Sequence, residues 1–290
     1  MIVGTNLFSR LKGLSQQTSK ISDALAEASA VATTGLKINT PSDSPEMVNR
    51  IRDLTAAISD NQRYAESAGT AETMLGLADT TLSSLADVLS ASLELAVQLS
   101  SETFNSDTRV DAAITAEGLL DEALALVNTN ISGRALFAGT AYDGDAFDST
   151  LAYVGNTDES LLDVGDAVSV TVGFDGSALG LGGALTAIAG LETALAADDI
   201  PGVQSSLDTL EVAINNLSQV QATIGAELTT ADDFASFSES MEFELTSQLA
   251  NVQEVDPIEA LVRFNELQTM YETALSVTAS SNTGSLFDRI

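Results

Sequence analysis

LFSRLKGLSQQTSKISDALAEASAVA, residues 7–32, is the stretch that decides the fold. Its seam positions are Leu7, Leu11, Leu14, Thr18, Ile21, Leu25, Ala28 and Ala32, an unbroken 4-3-4-3 spacing that is polar only at Thr18. That spacing keeps one stripe turned toward a partner helix and is useless to a strand or a loop. The far end of the chain answers with a looser stripe: Ile258, Leu261, Phe264/Asn265, Gln268, Tyr271, Leu275 and Thr278. Heptad-like seams thus open and close the chain, and the middle reads as lacking them. A chain built so is expected to polymerise or dock end-first. The candidate assembly positions are Leu7, Leu11, Leu14, Ile21, Leu25, Ile258, Leu261, Tyr271 and Leu275.

Inward from the first seam, helix is expected over about 6–32, ending in Thr33-Thr34-Gly35, where Gly35 supplies a left-handed cap. Pro41 and Pro45 keep the next segment out of helix, since an interior proline costs about 3 kcal/mol. Gly35, Pro41 and Pro45 therefore mark a candidate hinge. Ser44-Pro45-Glu46 starts a very long helix, running to about Ser101, with Ile51, Leu54, Ile58, Leu75, Ala78, Leu82, Leu85, Leu89, Ala96 and Leu99 on its buried face, and its weakly apolar middle (Asn61, Ala65, Ala68) is expected to pack closely through small side chains. Ser106-Asp107 is expected to cap a third helix that carries Val110, Ile114, Leu120, Leu124, Val127 and Ile131 inward and closes at Ser132-Gly133.

Residues 136–183 change character: Gly, Asp and aromatics dominate, with short β-rich runs at Leu151–Val154 and Ala167–Phe174. Val168, Val170, Val172 and Phe174 alternate with Ser169, Thr171 and Gly173, the period of a half-buried strand. Helix is expected again at about Ala184–Ala197 and about Pro201–Val252, and Asp256-Pro257-Ile258-Glu259 opens the last one with cap, proline and a reciprocal glutamate. The expected fold is mainly α: long nested antiparallel helical rods, coiled-coil-like, with a small β-rich insert. Three parts follow: 1–40 with 256–290, 41–135 with 184–255, and the insert 136–183. Pairing the first rod with the last, and the second with the penultimate, gives an elongated molecule.

Composition narrows the function. Eleven Lys and Arg face 42 Asp and Glu, a net charge of −31 that repels phosphate backbones, so no nucleic-acid partner is expected. The charge is uneven: residues 1–63 hold seven bases and six acids, whereas Ala135 to Val262 hold 22 acids and no base. Near-neutral ends can pack in a crowd while an acidic middle faces water. With no Cys, His or Trp, thiol and histidine chemistry and Cys/His zinc sites are excluded by inventory, and no cofactor is expected. Asp143, Asp145 and Asp148 invite a calcium reading, but Phe147 and Val154 occupy places where a calcium loop needs ligands. No pair among the acids is singled out for hydrolysis, so an enzyme is not expected. No unbroken apolar run of about 18 residues predicts membrane insertion, and MIVGTNLFSRLKGL lacks the apolar block of a signal peptide.

Three stretches resemble the flagellin family, in particular its hook–filament junction members. Thr34-Gly35-Leu36-Lys37-Ile38-Asn39-Thr40-Pro41-Ser42-Asp43-Ser44-Pro45 is similar to the family's Gly-basic-apolar-Asn followed by Ser-Asp-Asp-Pro, with Ser44 in place of the second Asp. Asn130-Ile131-Ser132-Gly133-Arg134-Ala135-Leu136-Phe137-Ala138-Gly139 resembles the segment after the third helix, with Ala135 where an aromatic is common. The third runs from Asp256-Pro257-Ile258-Glu259-Ala260 through Gln268, Tyr271 and Leu275 to Ser285-Leu286-Phe287-Asp288.

The resemblance covers roughly 1–140 and 190–290 and leaves the insert unmatched. It implies a structural subunit of the bacterial flagellum that joins hook to filament and is needed for motility. Such a subunit is extracellular and leaves by type III export through the flagellum's own apparatus, without a cleaved signal peptide. The partners implied are further copies of itself, a neighbouring hook-associated protein, flagellin and an export chaperone. A filament flagellin, or a secreted helical adhesin or effector using the same export route, are the alternatives.

Overall fold

The computed structural model of the chain describes residues 3–38, 44–131, 133–141 and 144–287, with side chains described at residue 9 and from 12 to 280 within those ranges. Its helices are α1 (Val3–Thr34), α2 (Pro45–Leu99), α3 (Ser106–Val127), α4 (Leu181–Ala196), α5 (Ile200–Gln253) and α6 (Pro257–Phe287). Two antiparallel hairpins interrupt them, β1 (Asn130–Ile131) with β2 (Arg134–Ala135), and β3 (Ser160–Gly165) with β4 (Val168–Gly173). The chain is mainly α with a small β insert, as its periodicities predict. It divides into two compact units: Met1–Asp60 with Glu242–Ile290, and Asn61–Met241.

In the first unit α1 and α6 pack on one another. Helix α1 stops where the sequence predicts: Gly35 adopts φ +72° and donates its N–H to Val31 O at 2.8 Å, closing the left-handed cap. The chain beyond it is clamped to the α5–α6 junction. Lys37 N donates to Gln253 O at 2.7 Å, and Val255 N donates to Gly35 O at 2.9 Å. Asp256 then caps α6 by accepting from Ile258 N at 2.8 Å, with Pro257 in the first turn, where its missing N–H costs nothing.

The second unit holds a feature that overturns the expectation of a middle without heptads. Along α2 a buried row runs through Ala68, Ala71, Leu75, Ala78, Leu82, Leu85, Leu89, Ser92, Ala96 and Leu99 at 3-4 spacing, with Thr81 and Val88 buried beside it. Along α5 they are Val203, Ser206, Leu210, Ala213, Leu217, Val220 and Ile224, resuming at Ala231 and Ser238. These seams are more deeply buried than those of the terminal helices, most of whose seam positions are half-buried. The sequence reading finds Ala78 and Ala96 on this face and small-residue packing at Ala68, but misses Ala71, Ser92, Ser206 and Ala213, whose small side chains carry little hydrophobic signal. Small side chains let backbones approach, and the buried hydroxyls are satisfied within their own helices: Ser92 donates to Val88 O and Ser206 to Gly202 O. The two helices run antiparallel, since Asn61 Nδ2 donates to Ser238 O at 2.7 Å while Gln204 Nε2 donates to Ser100 O at 3.3 Å.

Helix α3 packs on α4, whose Leu181, Leu185, Ile188, Leu191 and Leu195 are all buried. The β insert shares this core through Val164, Val170, Val172, Phe174, Phe137 and Phe147. Tyr153 lies 5.3 Å from Phe147 between ring centroids and donates to Asn156 O at 2.7 Å. Gly139, at φ +67°, has no room for a side chain: a Cβ would fall 2.3 Å from Asn156 Oδ1. At the opposite end of α3 the buried Arg109 pairs with Asp198 and donates to Phe104 O at 2.9 Å, tying the α2–α3 loop to the α4–α5 turn.

Four further expectations are corrected. Helix α3 is capped by Asn105, whose Oδ1 accepts from Thr108 N at 2.9 Å, not by Ser106-Asp107. It ends at Val127 rather than near Gly133, because Asn128 leaves the helix to make a two-way bond with the backbone of Phe147, Nδ2 to O at 2.8 Å and N to Oδ1 at 2.9 Å. Its inward face is Arg109, Ala113, Ala116, Ala123 and Val127, leaving Val110 exposed and Ile114 67% exposed. Strand structure starts at Asn130, ahead of the expected 136–183, with a lone bridge from Leu36 to Glu254 elsewhere, and α4 begins at Leu181 rather than Ala184. One 18-residue window in α2 also reaches a mean hydropathy of 1.3, enough by length and composition for a membrane span. The helix that holds it buries Leu75, Leu82, Leu85 and Leu89 in the protein core instead.

Two measurements check this packing. Leu85→Ala is expected to lower the unfolding free energy by about 2–5 kcal/mol. Ile114→Ala should stay within about 0.5 kcal/mol of the parent in denaturant titrations. The second concerns Tyr153, whose phenol is pushed up from its usual 10.0 to about 12, first by burial and then by the negative charge of Asp175 and its hydrogen bond. The native state therefore holds this proton more tightly than the unfolded chain. The stabilisation is complete below about pH 10 and is lost as pH climbs toward 12. A phenolate titration should show one of the four tyrosines ionising late, and Tyr153→Phe should abolish that step.

Candidate assembly surface

Helices α1 and α6 run antiparallel. Ala28 and Val31 share a groove with Glu259, Ala260 and Arg263, whereas Leu14, Thr18 and Ile21 share another with Thr269, Thr273 and Ala274. On α1 the stripe read from sequence faces its partner: Leu14, Thr18, Ile21 and Leu25 are half-buried and Ala28 is buried. The register ends at Val31, not at the exposed Ala32. The side chains of Leu7 and Leu11, and Pro41 of the proposed hinge, lie outside the described residues.

On α6 the structure separates what the sequence stripe had merged. The positions turned inward are Ala260, Phe264, Leu267, Tyr271, Ala274 and Thr278, itself a 4-3-4-3-4 spacing. Tyr271 belongs to this seam; Ile258, Leu261 and Leu275 do not. These three are 74%, 56% and 45% exposed, and Val262, Met270 and Val277 are exposed with them. At 3.6 residues per turn, Leu261 and Leu275 flank the seam on one side, Met270 and Val277 flank it on the other, and Ile258 and Val262 lie behind. The Met270–Val277 flank joins Leu14 and Ile21 of α1 in an apolar groove of about 740 Å³. Among the described residues, α6 is thus apolar on several sides while α1 covers one of them.

Water-facing helices keep their apolar residues in one stripe, and a helix apolar on most sides is built for surroundings with more helices. Burying one Leu, Ile or Val side chain contributes about 1.5–3 kcal/mol, so six such side chains form a strong latent interface.

Two terminal helices that fold together and leave an apolar face open define an end-assembling helical subunit. Comparison with known proteins places that class in one family. Residues 9–142 match the bacterial flagellin N-terminal helical region, and residues 207–288 match the bacterial flagellin C-terminal helical region. The chain belongs to the flagellin family. It is 25% identical over 251 residues to flagellar hook-associated protein 3 of Escherichia coli (strain K12), covering 77% of this chain and 79% of that one. Its fold is similar to the crystal structure of Bacillus cereus FlgL, at TM-score 0.62 and 16% identity over 68% of this chain and 99% of the other. It is likewise similar to the flagellar junction protein FlgL from Legionella pneumophila, at TM-score 0.53 and 11% identity, covering 72% and 100%.

The two faces of α6 predict different behaviour in the isolated chain. Tyr271→Ala removes part of the α1–α6 seam and is expected to weaken the pairing by about 1–2 kcal/mol, roughly tenfold faster amide exchange over residues 14–28. Leu275→Ala touches only the open face and should leave that exchange unchanged.

Proposed function

We propose that this chain is a structural subunit of the bacterial flagellum, set at the junction of hook and filament, and that it polymerises through its terminal helices. The observation that carries the assembly mechanism is the open apolar face of α6 beside the α1 groove: Ile258, Leu261, Leu275, Met270 and Val277 exposed on a helix whose seam is already occupied. The place at the junction is supported by the likeness to flagellar hook-associated protein 3 across 77% of this chain. The role is mechanical, not catalytic.

In this reading residues 1–40 with 256–290 are the assembly part, 41–135 with 184–255 the rod and 136–183 the insert. Leu7, Leu11, Leu14, Ile21 and Leu25 join the α6 face at the interface between copies. Gly35, Pro41 and Pro45 let the terminal pair adjust its angle on joining a neighbour. Support for that hinge comes from the helix break between Thr34 and Pro45 and from the Gly35 cap. The subunit meets copies of itself, a hook-associated neighbour and flagellin, and reaches the outside through the flagellar export apparatus with a chaperone holding α6. A chaperone suits a helix with so much apolar surface, which must stay soluble before it assembles.

The test is replacement in a strain lacking the gene. Leu261→Asp with Leu275→Asp is expected to leave helicity unchanged, yet to cut the number of filamented cells at least tenfold and release flagellin into the medium; a desolvated carboxylate costs several kcal/mol. Normal filaments in that strain would remove the open face of α6 as the assembly surface.

A further inference from the structure

The unit formed by Asn61–Met241 carries 28 of the 42 acids and only three of the 11 bases, and it contains no lysine. Even with all three bases paired, the unit holds 25 more acids than bases. Arg109 is buried in its pair with Asp198, Arg134 donates to Ser160 Oγ at 2.9 Å, and Arg63 lies 4.8 Å over the Tyr64 ring. Helix α5 holds no base along its whole length, so none of its exposed acids has an i, i+4 partner of opposite sign. On α3, Asp107 with Asp111 and Glu117 with Asp121 stand one turn apart as like charges, a destabilising arrangement on any helix. Folding packs this excess onto the surface of one compact unit, whereas the unfolded chain spreads it out.

We propose that the Asn61–Met241 unit is a salt-dependent fold, stabilised by a diffuse atmosphere of monovalent cations that stands in for its missing lysines. The Debye length falls from about 30 Å at 0.01 M to about 8 Å at 0.15 M and about 3 Å at 1 M, so repulsion between neighbouring acids is screened progressively across that range. A consequence for assembly rests on the function proposed above. Copies brought side by side add their like charges, so the ionic strength that stabilises one unit also permits its packing.

The test uses the full isolated chain and needs no assembly, so its failure is separate from any failure of the junction reading. Thermal unfolding followed by circular dichroism should shift upward by at least about 10 °C between 20 mM and 1 M NaCl, with slower amide exchange in residues 61–241. Because salt also strengthens apolar burial, a second variant isolates charge: Asp111→Asn, Glu117→Gln, Asp121→Asn, Asp208→Asn, Glu211→Gln and Asp232→Asn together should at least halve that shift. These six side chains are exposed, so the fold tolerates the amides. A midpoint flat or falling with NaCl overturns the proposal, as does a six-fold variant that keeps the full shift. Stabilisation that saturates at millimolar MgCl2 while NaCl does nothing overturns it too, since that behaviour belongs to a discrete cation site.

Discussion

A pair of antiparallel helices covers one stripe on each, and everything else on the helix must be polar or find another neighbour. The protein meets this constraint in two different ways. In the Asn61–Met241 unit the seams of α2 and α5 mix Ala and Ser with Leu, Val and Ile, and further partners are supplied from within: α3, the largely apolar α4 and the β insert complete a core that includes Phe137 and Phe147. In the other unit, among the described residues, α6 packs on α1 along one seam and its other apolar flanks are exposed. The central unit covers its apolar seams within one chain, whereas α6 keeps apolar flanks exposed.

The loops are placed by a few polar side chains that satisfy backbone groups. Asn128 holds the backbone of Phe147 in both directions, Asn156 bridges to Thr140 through N–H and hydroxyl bonds of 2.8 and 2.7 Å, and Arg109 gathers the Phe104 carbonyl and Asp198. An exposed turn is organised likewise by Asp148, whose carboxylate sits below its usual value because Thr150 Oγ1 and then the Ala152 and Thr150 amides donate to it. The Asn128, Asn156 and Arg109 bonds are local answers to backbone groups that would otherwise be partly buried without a partner.

Legibility in the sequence followed side-chain size. Large residues at regular spacing announced α1, the C-terminal half of α2 and the alternation of β4, and Gly35 and Asp256-Pro257 marked helix ends by backbone chemistry that needs no tertiary context. What went unread depended on small or long-range partners. Ala71, Ser92, Ser206 and Ala213 of the central seams carry little hydrophobic signal, whereas Ala78 and Ala96 are legible from the leucines around them. The early end of α3 depends on Asn128 reaching a residue 19 positions away. On α6 the surplus of apolar residues blurred two faces into one stripe, so Ile258, Leu261 and Leu275 were grouped with Tyr271. Val110 and Ile114 misled for the same reason: apolar residues on an outward face imitate a seam. Arg109, a lone base between Arg63 and Arg134 in a run of acids, was the one available hint of a buried pair.

The central claim is that the flank of α6 open in the single chain is closed by neighbouring chains in the flagellum. The absence of cysteine makes this directly measurable. A Leu275→Cys chain carries one thiol on that flank, and its rate of reaction with a soluble maleimide can be compared between the isolated protein and intact flagella. The account predicts rapid labelling of the isolated chain and at least about a hundredfold protection after assembly, as expected of a side chain taken into a packed interface. Equal labelling in both states would mean that the open face of α6 stays in water, and that the terminal helices assemble by some other surface.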